Sequence, residues 1–216
     1  YLNANGALEQ NGWFRYANGR DYGYAESDGC LINNKFAKDN QGRVVFYHWN
    51  GMVARGLISD GLWYYSMDEG DGHYLGRFKA AGVAPSDTYQ LQVLDLVNEE
   101  RLSRNIAPLK LNEQVQQAAQ VRAGEISTVF DHIRPDGRSC FTALDEYVTD
   151  GYGSAGENIA AGQSSPQEVV SDWMNSPGHR ANILKESYTA LGVGYYYGSG
   201  PYYCYWVQMF IGDRYW

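Results

Sequence analysis

Two imidazoles are the first residues in this 216-residue chain that suggest chemistry. His132 and His179 are the only histidines in its C-terminal portion, and they are far apart in sequence. Joined by a carboxylate in one cleft, they would offer the ligand types that Zn²⁺ prefers. Ser176-Pro177 reads as a helix N-cap and first helical position, which puts His179 in an opening turn where the positive dipole end disfavours imidazolium. Neutral imidazole is the form that binds metals and acts as a general base. A hydrolase would also need a nucleophile. Ser139, Ser154 and Ser176 lie in the same region, but none sits in a Gly-x-Ser-x-Gly elbow, and Cys140 lacks the local signature of an activated thiol. His48 and His73, in the N-terminal portion, have no spaced partner and read as surface residues.

The elements that must position these residues begin near Thr88. Val93, Leu94, Leu96 and Val97 form one broad helical face, with Asn98, Glu99, Glu100 and Arg101 largely opposite, and Pro108 prevents continuation. Asn112 is placed to cap a second helix, in which Val115, Ala118, Ala119, Ala123 and Ile126 recur at three- and four-residue steps; it is expected to run to about Val129. Ser165-Pro166-Gln167-Glu168 is a capping box ahead of Val169, Val170, Trp173 and Met174. The period then changes. Leu191, Val193, Tyr195 and Tyr197 alternate, a Gly198-Ser199-Gly200-Pro201 turn follows, and Tyr203 to Ile211 is apolar on both faces. A strand covered on both sides implies helices flanking the sheet. With a further strand at Gly156 to Ala161, the expected C-terminal fold is α+β, an α-β-α sandwich around a small antiparallel sheet.

The N-terminal portion has a different grammar. Proline is absent before Pro85 while glycine is frequent, and the small, uncharged segment from Ala80 to Ser86 reads as a linker. Three aromatic segments each run into a turn: Tyr22-Gly23-Tyr24 before Asp28-Gly29, Val45-Phe46-Tyr47 before Asn50-Gly51, and Trp63-Tyr64-Tyr65 before Asp71-Gly72. Such units cannot bury a face alone, so a short all-β hairpin-repeat module over residues 1–80 is expected ahead of a domain over 86–216.

Composition narrows the partners. Apolar residues make up 44% and charged residues 19%, as in a globular protein, and aromatics reach 15% with 19 tyrosines, suited to exposed recognition surfaces. A net charge of −8 without a basic patch argues against nucleic acid. No apolar run is long enough to cross a membrane, and no charged-then-apolar leader stands at the start of the sequence. Cys30, Cys140 and Cys204 fit no zinc spacing, and a Cys140–Cys204 bridge stays open as an alternative to free thiols.

Several stretches taken in order carry a resemblance. They are Val97-Asn98-Glu99-Glu100-Arg101, Arg122-Ala123-Gly124-Glu125-Ile126, His132-Ile133-Arg134-Pro135-Asp136-Gly137, Gly156-Glu157-Asn158-Ile159-Ala160, Trp173 to Leu184, Leu191-Gly192-Val193-Gly194 and Tyr205-Trp206-Val207-Gln208. Together they are similar to the bacterial branch of the CAP (SCP-like) superfamily, which includes cysteine-rich secretory proteins, venom allergens and plant pathogenesis-related proteins. The resemblance implies an open cleft in which His132, Glu157 and His179 meet. It also implies secretion or a cell-surface location. A second family glutamate, expected shortly after Trp173, is missing, and Asp172 or Glu125 could replace it only if the fold brings one of them to the cleft. Asn182 and Gln208 either line the cleft or satisfy buried backbone groups.

The N-terminal segment, most clearly at Asp60-Gly61-Leu62-Trp63-Tyr64-Tyr65 and Asn11-Gly12-Trp13, loosely resembles choline- and glucan-type wall-binding repeats. That likeness makes Trp13, Trp49, Trp63 and Tyr65 candidates for stacking on a cell-wall glycan or caging a choline-type ligand; the alternative is that they form the module's core. Three functional classes follow. The first is a surface protein whose cleft holds zinc or another divalent cation and an extracellular ligand, with His132 and His179 as metal ligands. The second is a metal-dependent hydrolase of peptides or envelope material, and the third a non-catalytic adhesion or signalling protein binding lipid, glycan or protein.

Overall fold

Short aromatic strands separated by glycine turns build the N-terminal unit of the computed structural model, in which residues 7–60, 63–79, 88–198 and 200–213 are described. Strand β1 (Gly12–Arg15) pairs with β2 (Tyr22–Ala25), and β3 (Lys35–Lys38) with β4 (Val44–Tyr47). Strands β5 (Gly56–Ser59), β6 (Trp63–Met67) and β7 (Tyr74–Lys79) form a three-stranded meander, and every pairing is antiparallel. Gly29, Gly51 and Gly72 take the positive φ that their Asp-Gly and Asn-Gly turns require. The hairpins are not independent. Val45, Tyr47 and Val53 pack with Trp13, Tyr22 and Tyr24 from the first hairpin, and Arg43 binds Asp71 across to the meander at 2.8 Å. The segment Ala80 to Ser86 lies outside the described residues. The chain divides into two compact units, Tyr1–Ala84 and Pro85–Trp216.

The second unit contains α1 (Tyr89–Leu102), β8 (Lys110–Leu111), α2 (Glu113–Ile126), α3 (Thr142–Tyr147), β9 (Ser154–Ala161), α4 (Pro166–Asn175), α5 (Pro177–Ile183), β10 (Ala190–Tyr197) and β11 (Cys204–Gly212). Its sheet has the order β8-β10-β11-β9, antiparallel except for the two-residue β8, which runs parallel to β10. One face packs Leu191, Val193, Trp206 and Phe210 against Val93 and Val97 of α1, Val169 and Trp173 of α4, and Ile183 of α5. The other face packs Ile159, Val207, Met209 and Ile211 against Val115, Ala118, Ala119, Ala123 and Ile126 of α2, with α3 beside them. The three-layer α-β-α sandwich follows, each fully buried aliphatic side chain stabilising it by about 1.5–3 kcal/mol. Among the described residues, no helix is long and apolar enough to cross a membrane.

Glycine lets α2 sit close on the sheet. A Cβ at Gly192 would lie 2.3 Å from the Val115 carbonyl carbon, and one at Gly194 would lie 2.0 Å from the Ala119 carbonyl oxygen. The pair Gly192 and Gly194 in the Leu-Gly-Val-Gly stretch is therefore explained by backbone approach.

Three sequence expectations are corrected. Asn98 and Arg101, expected on the outer face of α1, are buried. Asn98 exchanges two hydrogen bonds with the Leu109 backbone, at 2.9 and 2.7 Å, and Arg101 donates to the carbonyls of Ala107, Ile183, Lys185 and Tyr188. Their polar groups are satisfied by backbone groups of other segments, which sequence periodicity does not see. Helix α2 stops at Ile126, where the Ser127 hydroxyl donates to the Gly124 carbonyl, rather than near Val129. The capping box at α4 is shifted by one residue: Ser165 Oγ accepts from the Glu168 N–H, but the Glu168 carboxylate accepts from the N–H and hydroxyl of Ser164.

Candidate functional site

The site is built on the open edge of the sheet. Strand β9 is the last in the sheet order and carries Glu157, whose side chain points to the α2 face and is only 1% exposed. Helix α2 brings Arg122 to it from the same stripe that buries Val115, Ala118 and Ile126. The guanidinium is fully buried. Its Nε donates to Glu157 Oε2 at 2.8 Å, one terminal nitrogen to Glu125 at 2.8 Å, and the other to the Asp131 carbonyl at 2.7 Å. Burial opposes the Arg122 charge, but the bonds from Glu157 and Glu125 outweigh it and hold its pKa above the ordinary value.

The loop after α2 delivers His132 to the other oxygen of Glu157. Its Nδ1 lies 2.8 Å from Oε1, while the ring is 55% exposed. A carboxylate accepts, so Nδ1 carries the proton, and in the neutral ring the Nε2 lone pair has no protein partner among the described residues. A rigid frame supports this loop. The stretch from Arg134 to Gly137 is a turn closed by the Gly137 N–H on the Arg134 carbonyl, with the Arg134 N–H donating to the Arg138 carbonyl, and Arg134 bridges Glu125 and Glu146.

His179 enters from α5, whose first position is Pro177, as the sequence suggested; Ser176 occupies the cap position but its side chain makes no cap bond. Burial, and then the charge of His132, lower the His179 pKa below the ordinary value. The two imidazoles therefore feel one another, and both effects favour the neutral form of His179. The direction matches the expectation from the helix dipole, although the causes are burial and the other ring.

The three expected residues differ in how tightly they meet. Among the described residues, the ligand atoms of His132, Glu157 and Cys140 lie within 4.8 Å of one another, and His179 is not part of that cluster. The cluster suits a metal poorly. Arg122 and His132 already occupy Glu157, and burial, followed by the charge and hydrogen bond of Glu157, pushes the Cys140 thiol up to about 12. Glu157 instead acts as the acceptor that orients the His132 ring.

Other candidate residues take structural places. Asn182 donates to the Glu157 carbonyl at 3.2 Å and to Asn158 Oδ1 at 2.9 Å, so it braces β9. Gln208 is fully buried and accepts from Asn158 at 2.9 Å. Neither proposed substitute for the missing glutamate takes over its role: Glu125 belongs to the arginine network, and Asp172 accepts from Gln163 on the surface. Ser139 accepts from the Phe141 N–H and the Ser154 hydroxyl is buried without a partner; neither bonds to an imidazole. Cys30, Cys140 and Cys204 are free thiols. Arg122 is the residue that sequence reasoning missed. A charged side chain on the buried stripe of α2 was the available signal.

In the N-terminal unit the four aromatic candidates lie in different settings. Trp13 packs against Tyr22, Tyr24 and Tyr47, and Tyr65 is buried against Phe36 with its hydroxyl donating to Asp60. Trp63 lies under the Arg77 guanidinium at 3.9 Å, and Trp49 is widely exposed. His73 is half-buried and bonds Asp71 at 2.6 Å, so it is not a simple surface residue.

Comparison with known proteins agrees with this architecture. The chain is 41% identical over 133 residues to YkwD of Bacillus subtilis (strain 168), covering 60% of this chain and 50% of that protein, so it spans about half of that relative's length. An extracellular protein of Bacillus anthracis containing an SCP domain superposes with a TM-score of 0.53 at 23% identity, over 73% of this chain and 59% of that one. The modular Cpl-1 endolysin, solved with a peptidoglycan analogue, shares 28% identity over 33% of this chain and 20% of that chain, with a TM-score of 0.29. The model of the cysteine-rich secretory protein family, CAP, matches residues 94–210, more than half of the sequence, and the chain belongs to that family.

Proposed function

We propose that this is a secreted or cell-surface CAP-domain protein whose cleft holds a divalent cation, zinc foremost, between His132 Nε2 and His179. Two imidazole ligands leave coordination positions for water or for an extracellular ligand, and such a metal would supply Lewis acidity at the cleft mouth. The observation that carries the reading is the chain Arg122–Glu157–His132, with both links at 2.8 Å. It favours one histidine tautomer and leaves the unprotonated nitrogen on a half-exposed ring, the second-sphere arrangement typical of metal-binding histidines. The lowering of the His179 pKa by burial and by His132 favours the neutral ring that the same role needs. The extracellular location rests on the family and on the description of its Bacillus anthracis relative. The aromatic hairpin module is assigned the tethering role, on a cell-wall glycan or a choline-type ligand.

Calorimetric titration of the purified, chelator-treated protein with Zn²⁺ tests the cleft. One site per chain is expected, abolished by His132→Ala and by His179→Ala. Glu157→Gln should retain both ligands but weaken binding about 10- to 100-fold. Unchanged binding in the His132→Ala, His179→Ala double variant overturns the reading.

A further inference from the structure

The β10–β11 turn of the C-terminal unit carries an aromatic surface that the metal reading does not use. Phe130 (50% exposed) and Ile133 flank His132 in sequence, while Tyr196, Tyr197, Tyr202 (53%) and Tyr203 crowd the turn between β10 and β11. Ring contacts join the two groups. Centroid distances are 6.4 Å from Phe130 to Tyr202, 6.3 Å from Tyr202 to Tyr205 and 6.4 Å from Tyr205 to Tyr196. Tyr205 is buried, so the exposed rings rest on a fixed base.

Several features hold these rings in place. A Cβ on Gly198 would come within 2.3 Å of the Tyr196 ring, and one on Gly200 within 2.0 Å of the Tyr205 hydroxyl, so any other residue there would have to displace these rings. Tyr203 adopts φ +60°, a conformation that a bulky residue takes only where its surroundings impose it. Across the surface, Arg122 donates to the Asp131 carbonyl, between Phe130 and His132. The guanidinium that orients His132 through Glu157 thus also pins the edge of the aromatic surface.

The chemistry of this surface selects its occupant. Residues 194–212 include no charged side chain, and the charged residue next to Phe130 is the exposed carboxylate of Asp131, so neither an anionic lipid nor an anionic polymer is drawn there. The hydroxyls of Tyr196, Tyr197, Tyr202 and Tyr203 have no protein partner among the described residues. Flat apolar faces rimmed by free hydroxyls match a pyranose, which has an apolar C–H face and a hydroxyl edge; a purely aliphatic partner would strip water from those hydroxyls without replacing it. We propose that Phe130, Tyr196 and Tyr202 form a binding platform for an uncharged glycan strand, running from the β10–β11 turn to the His132 edge of the cleft. The platform does not require a metal.

The test is calorimetric titration of the full chain, freed of metal, with chitohexaose and with cellohexaose. At least one should bind. Phe130→Ala and Tyr202→Ala should each weaken binding about three- to tenfold, and the double variant should lose more. Tyr202→Phe should keep most of the affinity. Zn²⁺ affinity should be the same in the platform variants as in the parent, so failure of this proposal and failure of the metal reading are separable. Unchanged melting temperatures show that the variants fold. No binding of either oligosaccharide, or undiminished binding by the Phe130→Ala, Tyr202→Ala double variant, overturns the proposal. So does capture by phosphatidylcholine vesicles, without oligosaccharide binding, that the double variant loses.

Discussion

Replacing Arg122 by Met removes a fully buried cation that three groups share: the Glu157 and Glu125 carboxylates and the Asp131 carbonyl. Glu125 keeps Arg134 as a partner, but Glu157 keeps only the half-exposed His132 ring and the uncharged Cys140 thiol. The side chain of Glu157 is 1% exposed, so its charge has little water to turn to. Breaking a buried pair by removing one partner costs about 3–5 kcal/mol, which lowers the midpoint of a domain this size by about 10–20 °C. The Arg122→Met, Glu157→Met double variant removes both charges together and should recover most of that loss. Differential scanning calorimetry is the assay, because the two units can unfold in separate transitions. Only the C-terminal transition should move. A loss below about 1 kcal/mol in Arg122→Met, or a double variant as unstable as the two single losses added together, would refute the assignment of this guanidinium as the buried anchor of the site.

Further outcomes follow from the same structure. His179 has a folded pKa below its unfolded value, so the unfolded chain binds the extra proton first; stability should fall as pH drops below about 6.5 and level off under the folded pKa. In NMR titration, His132→Asn should raise the His179 pKa toward the ordinary value, and no change would deny the electrostatic link between the rings. Gly194→Ala should destabilise the C-terminal unit by more than about 2 kcal/mol in urea unfolding, since its Cβ would meet helix backbone rather than a movable side chain. Cys140, buried and with its thiol pushed up to about 12, should resist a thiol reagent at about pH 8 in the folded protein and react in denaturant, while exposed Cys30 reacts in both.

Much of the scaffold was legible because local signals agreed with one another. The Asp-Gly and Asn-Gly steps, the Asn112 and Ser165 caps, and the alternation in Leu191–Tyr197 each name a local conformation, and each is found. The polar interior was not legible. Arg101 is satisfied by carbonyls more than eighty residues away in sequence, and Asn98 by the backbone of Leu109, so periodicity placed both outside. The pattern nevertheless held a clue. Val93, Val97 and Arg101 share one four-residue step, as Ala118 and Arg122 do, and a charge on a buried stripe must have found a partner. For the site, residue type and family likeness picked out His132, Glu157 and His179, but the division of labour came only with coordinates. Glu157 is consumed by Arg122 and His132, and its free capacity for a metal is correspondingly small.

Anomalous diffraction at the zinc edge, from a crystal of the full chain soaked in Zn²⁺, tests the account most directly. The account predicts one strong peak bonded to His132 Nε2 and His179, with Glu157 still on His132 Nδ1 and Cys140 uncoordinated. A peak held instead by Cys140 and Glu157, or by Asp68, Asp71 and His73, or no peak near either cleft imidazole, would contradict it.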